Sequence, residues 1–143
     1  MKLFNKLYMM IIAEPIDIGS CLQRFADPRT GACVWFAGMV RNISHQQNVA
    51  YLEYEAFVPL ANTMISDIVA QAVKQFNLLD ALCLHRTGRL VIGETAVLVV
   101  TASMHRKEAY AANQYIIDRV KHEAPVWKKE YWADGSYTWG HCL

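Results

Sequence analysis

KHEAPVWKKEYWADGSYTW, residues 121–139, decides the fold. Pro125 has no amide hydrogen and its ring clashes with a helix, so a helix entering this stretch must stop. Ala124 before it is pushed toward extended geometry. Beyond the proline, VWKKEYW and SYTW flank Asp134-Gly135, a pair that favours the tight turn of a β-hairpin. One short segment therefore holds a helix end, a strand and a hairpin. If 126–132 is a strand, Lys128, Glu130 and Trp132 share one face, while Trp127, Lys129 and Tyr131 share the other.

Working outward, residues 104–123 read as a helix with Ser103 as its N-cap. ALCLHRT (81–87) and TAVLVVTAS (95–103) read as strands, joined by GRLVIGE (88–94). A second long helix has Pro59 near its first turn, where a missing N–H is harmless. Its Met64, Ile65, Ile68, Val69, Ala72, Val73 and Phe76 form an apolar stripe that predicts core, not a cofactor site. VAYLEYEAF (49–57) alternates as a half-buried strand, RNISHQQN (41–48) reads as a polar loop, and ACVWFAGMV (32–40) reads as a buried strand after the turn DPRTG. Residues 7–13 read as a first strand. A short helix follows, with Asp17 as N-cap and Ile18, Cys21, Leu22 and Phe25 facing inward. This order predicts an α+β fold: a single domain, residues 1–143, with a mixed or antiparallel sheet, two long helices and a C-terminal hairpin.

Composition narrows the function. A chain of 143 residues, 54% hydrophobic and 19% charged, can bury a core of its own. The formal charge of +1 supplies no global field for nucleic acid or an anionic membrane, so any anion recognition must be local. Cys21, Cys33, Cys83 and Cys142 are isolated, with no C-x-x-C pair, which argues against a zinc knuckle or a dithiol redox site. Free thiols of this kind suit a reducing, cytoplasmic compartment. The apolar run near the N-terminus reaches Glu14-Pro15 without a small-x-small cleavage site and is too short to span a bilayer.

Three features remain as candidates for chemistry. His105-Arg106 stand where a strand hands over to a helix, and the unpaired first amides of a helix favour anions. Alone, the dipeptide reads at least as well as a surface arginine and a partly buried histidine, and His85-Arg86 within a strand show how weak it is by itself. Arg41 ends a strand in which Gly38 allows close backbone approach; it is either a site residue or a solvated strand end. Lys128 beside Glu130 is either a surface ion pair of little worth or a lysine held by a carboxylate beside a substrate. Lys121 lies in the last turn of its helix, where the dipole favours any lysine. His105 and Lys121 are separated by about 24 Å along one helix, so one small ligand cannot touch both. Two copies of the chain, a homodimer with the site near its interface, would bring such ends together. No P-loop, G-x-G-x-x-G, H-E-x-x-H or G-x-S-x-G is present, and the histidines have no ligand spacing.

GACVWFAGMVRN (31–42), YLEYEAF (51–57), LHRTGRLVIGE (84–94), TASMHRKEAY (101–110) and KHEAPVWKKE (121–130) occur in this order. Together they resemble the large, catalytic subunit of molybdopterin synthase, from about residue 7 to 140. The resemblance implies an α+β fold of α/β-hammerhead type and a dimer of large subunits. Each would bind one small ubiquitin-like sulfur-carrier subunit, giving a heterotetramer. It implies a sulfurtransferase of molybdenum cofactor biosynthesis, needing no cofactor and no metal. Sulfur would pass from the carrier's Gly-Gly thiocarboxylate tail to cyclic pyranopterin monophosphate, and two rounds would make the dithiolene. By motif, Lys121 and Lys128 match the family's catalytic lysines. Phe36, Met39, Val40, Arg41, His105, Arg106, Lys129 and Glu130 match its substrate-binding positions.

Two features depart from the family pattern. NISHQQN after Arg41 lacks the expected glycine, and the family's basic C-terminal tail has no clear match. A non-catalytic module that merely docks the carrier tail is the competing reading, and it would not need both Lys121 and Lys128. A nucleic-acid-binding domain is weaker still, since few aromatics interleave with basic residues.

Overall fold

The computed structural model describes residues 10–141. Residues 7–9 of the expected first strand and Cys142 lie outside the described residues. The chain runs β1 (Ile11–Ile12), α1 (Ile18–Gln23), β2 (Ala32–Met39), β3 (Ile43–Ser44), β4 (Gln47–Ala56), α2 (Val58–Gln75), β5 (Asp80–Arg86), β6 (Gly88–Val91), β7 (Thr95–Ser103), α3 (Arg106–Glu123), β8 (Val126–Trp132) and β9 (Tyr137–His141).

The strands divide into two sheets. One is four-stranded and mixed, in the order β1-β5-β7-β2, with β1 parallel to β5 and the other pairs antiparallel. The second is antiparallel, in the order β3-β4-β8-β9, and β6 pairs with β4. GRLVIGE is therefore more than a connection: its first half is a strand that carries the chain from one sheet to the other and back.

β7, from Ala96 to Ser103, is buried throughout, as its continuous apolar run and central place require. Helices α2 and α3 cover one face of the mixed sheet. The main core there includes Ala61, Ile65, Ile68 and Ala72 of α2, Ala112, Ile116 and Val120 of α3, and Cys83, Val97 and Val99 of the sheet. The short α1 covers the other face, where Ile18, Cys21 and Leu22 pack near buried Phe25, Leu82, Leu98 and Val100. Asp17 caps α1 by accepting the Ser20 amide at 3.1 Å. Asn113 of α3 is buried and donates its side-chain amide to the carbonyls of Val34 at 3.1 Å and Val99 at 3.0 Å, pinning the helix to two strands.

Three expectations change. β2 is not a buried strand: among the described residues it pairs with β7 alone, at the sheet edge, and Cys33, Trp35, Phe36 and Met39 are exposed. Its apolar run encodes an uncovered face, not a central position. Residues 41–48 are not a loop but a tight hairpin, Ser44 pairing with Gln47. His45 and Gln46 turn it with φ of 50° and 64°. Finally, α3 begins at Arg106 with His105 as N-cap residue, not at 104 with Ser103 as cap. Ser103 is still β7, and its hydroxyl donates to the His105 carbonyl oxygen.

The stop at Pro125 holds. Ala124 is extended (φ −71°, ψ 137°), and its amide still donates to the Val120 carbonyl. The chain then enters β8 directly. Gly135, at φ 90°, supplies the left-handed residue of the turn into β9.

Candidate functional site

A cavity of about 160 Å³ opens where the two sheets meet the end of α3. Gly38, Met39 and Arg41 wall it from the end of β2, Ile43 and Ser44 from β3, and Ala96 and Val97 from β7. Lys121 enters from the last turn of α3. A further wall is built by register: Tyr54 stands opposite Lys128 and Leu52 opposite Glu130 across the β4–β8 ladder. Side chains opposite one another in a ladder point to the same face, so all four reach the cavity. Gly38 is required by contact: a Cβ there would lie 2.6 Å from Val97 Cγ1.

Three cations, Arg41, Lys121 and Lys128, thus converge from three separate elements on one small space. Glu130 is the carboxylate among them, 6% exposed. Arg41 is exposed at the rim, while Lys121 and Lys128 are half-buried. Such a chamber holds and orients an anion.

The other expected site residues lie apart from the cavity within one chain. Val40 is buried, its backbone paired with Gly93 and Glu94. Phe36 is exposed beside Gly38; its ring would meet a Cβ on Gly38 at 3.4 Å. His105 and Arg106 stand exposed at the opposite end of α3 from Lys121, as the helix length requires. Lys129 points to the outer face of its strand, where its ammonium lies 3.9 Å from the Tyr137 ring centroid, 4.9 Å from Tyr131 and 5.4 Å from Trp139. The Tyr131 hydroxyl and the other groups around it push its pKa up.

Sequence reasoning passed over Tyr54 and Ser44 as cavity walls, and His85 against Tyr54. His85 is 1% exposed, and burial pushes its pKa down to about 4. Its ring meets Tyr54 edge-on, centroids 5.0 Å apart. The alternation of YLEYEAF could have identified Tyr54, since it shares a strand face with Leu52. Arg86 is buried for structural reasons, donating to Glu94 at 2.6 Å and to the Ala13 carbonyl at 3.1 Å. Among the described residues no three His, Cys, Asp or Glu side chains gather to hold a metal ion. No described helix is long and apolar enough to cross a membrane.

The fold and site define a two-sheet α+β domain whose cationic, carboxylate-flanked cavity is suited to small anionic groups. A family model described as MoaE protein matches residues 11–123. A molybdopterin synthase catalytic subunit from Staphylococcus carnosus is 40% identical over 131 residues, spanning 92% of this chain and 87% of its own. One from a Nostoc species is 44% identical over 130 residues, spanning 90% of this chain and 79% of its own. The crystal structure of molybdopterin synthase from Staphylococcus aureus superimposes with a TM-score of 0.87 at 37% identity, covering 94% of this chain and 98% of that one. The chain belongs to the MoaE family, an enzyme family of molybdenum cofactor biosynthesis.

Proposed function

We propose that the cavity is where sulfur passes from the C-terminal thiocarboxylate of a small ubiquitin-like carrier to cyclic pyranopterin monophosphate. The observation that carries this reading is the convergence of Arg41, Lys121 and Lys128 on one cavity beside Glu130. A thiocarboxylate and a cyclic phosphate are both anions, and fixed cations hold them in reacting geometry. Arg41 at the rim suits the phosphate, with Met39 packing beside it. Lys121 from α3 and Lys128 from β8 move protons as sulfur attacks and water leaves, and Glu130 holds Lys128 in place. The 143 residues act as one catalytic domain, and the cytoplasm is its compartment, as free cysteines suit.

Phe36, Val40, His105, Arg106 and Lys129 serve the substrate from outside this cavity. A second copy of the chain supplies His105 and Arg106 to it. The uncovered apolar face of β2, and its edge unpaired among the described residues, give that copy a surface to bury. A carrier on each copy completes a heterotetramer.

The test mixes the protein with thiocarboxylated carrier and cyclic pyranopterin monophosphate and measures molybdopterin as its fluorescent oxidised derivative. Wild type forms product, and Lys121→Ala and Lys128→Ala each lose roughly 100-fold or more. No product from wild type overturns the reading; undiminished turnover by both variants overturns the residue roles.

A further inference from the structure

The lining of the cavity changes with depth. Arg41 and Met39 are exposed at the rim, and Lys121 and Lys128 are half-buried. The buried lining is of another kind: Val49, Leu52 and Val97 are apolar, and Tyr54, Ser44 and Glu130 are the polar groups among them. Sulfur transfer, as proposed, uses the cations and Glu130 and gives the two hydroxyls no task. Ser44 holds its hydroxyl one carbon from the backbone, whereas Tyr54 carries its own at the far end of a ring.

Tyr54 is 6% exposed, and its place is set from three sides. Lys128 stands opposite it across the β4–β8 ladder, so the two side chains leave the sheet on one face. Gly88 stands opposite it across the β4–β6 ladder and brings no side chain against the ring. His85, from β5, meets the ring edge-on with centroids 5.0 Å apart, an arrangement that aromatic pairs favour. Packing thus fixes the ring before any ligand arrives, which lowers the ordering cost of binding. A phenol both donates and accepts, so a partner within the protein still leaves it able to meet a ligand.

Size selects which substrate reaches this depth. The cavity of about 160 Å³ is smaller than the roughly 300 Å³ at which pockets begin to enclose a drug-sized molecule whole. It suits the slim end of a chain better than fused pterin rings. We propose that Tyr54 is a further substrate-contacting residue: its hydroxyl donates to the carbonyl oxygen of the carrier's Gly-Gly thiocarboxylate. Sulfur is the weaker acceptor, so the hydroxyl takes the oxygen and leaves the sulfur to face Lys121 and Lys128. This rests on the reading that the tail enters the cavity, and adds which atom of its terminal group is held and by what.

The experiment reads binding first and turnover second. A carrier ending in an ordinary Gly-Gly carboxylate keeps the oxygen, and a carrier lacking both glycines removes the tail. Isothermal titration compares the two on wild type and on Tyr54→Phe, which keeps the ring and its packing on His85. Wild type prefers the full carrier; Tyr54→Phe weakens binding of the full carrier roughly tenfold and leaves that of the shortened one unchanged. A Tyr54→Phe chain that prefers the full carrier as strongly as wild type overturns the inference and leaves the tail in the cavity. Equal weakening toward both carriers overturns it too, and makes Tyr54 a residue of the fold alone. Wild type that treats the carriers alike takes the tail out of the cavity, and the proposed function falls with the inference. In turnover, Tyr54→Phe raises KM for thiocarboxylated carrier roughly tenfold and leaves KM for cyclic pyranopterin monophosphate unchanged. The reverse pattern overturns the inference by giving the hydroxyl to the pterin.

Discussion

One alternation along β8 separates two lysines adjacent in sequence. Lys128 faces the cavity beside Glu130, and Lys129 lies over Tyr137, Tyr131 and Trp139 on the other face. That division was legible from the sequence once Pro125 fixed where the strand begins, because the period of a strand is two. His85 was not legible. Nothing in LHRTG distinguishes a solvated strand histidine from a core one, and burial is set by strands and helices distant in the chain. Its burial has a measurable consequence. With a folded pKa of about 4 against an ordinary 6.5, the folded state binds fewer protons than the unfolded one over that interval. The stabilisation is whole above pH 6.5 and is lost as pH falls toward 4, amounting to about 3 kcal/mol across the window. Denaturant midpoints measured from pH 7 to 4 should therefore fall more steeply for wild type than for His85→Gln. Parallel curves would show that the ring protonates in the folded state as readily as in the unfolded one.

At the scale of elements, the two long helices, the strands 81–87 and 95–103 and the final hairpin were readable because periodicity and Pro125, Asp134 and Gly135 speak for themselves. The β3–β4 hairpin was missed because its turn carries His45-Gln46, where the usual signal is Asn-Gly. Both residues adopt positive φ, a conformation that costs a residue with a Cβ and costs glycine nothing. The strain matters to the site, since the turn sets Ile43 and Ser44 against the cavity. Gln46→Gly should relieve it. We expect a gain of about 1 kcal/mol in unfolding free energy, read from urea midpoints, with molybdopterin formation unchanged. A loss of stability would mean that the turn is held by something other than its backbone conformation. The edge position of β2 was likewise illegible, because an apolar strand with an exposed face and one buried in its own sheet read alike.

The whole molecule poses the question that α3 answers geometrically. Lys121 and the His105-Arg106 pair occupy opposite ends of one helix of 18 residues, and the cavity includes the first and not the second. If two copies share each site, each copy gives its Lys121 to one cavity and its His105-Arg106 to the other. Complementation follows. A Lys121→Ala chain and a chain carrying both His105→Ala and Arg106→Ala are each inactive alone, because each leaves every site one component short. In a mixed dimer one cavity receives both defects and the other receives none. Random pairing makes half the dimers mixed, and each has one intact site of two, so the co-expressed pair should recover about a quarter of wild-type molybdopterin formation. Recovery would require the two variants to associate, which sedimentation of the mixture measures separately. Associated but inactive mixtures would place His105 and Arg106 outside the partner's cavity, and a stable monomer at micromolar concentration would remove the shared site altogether.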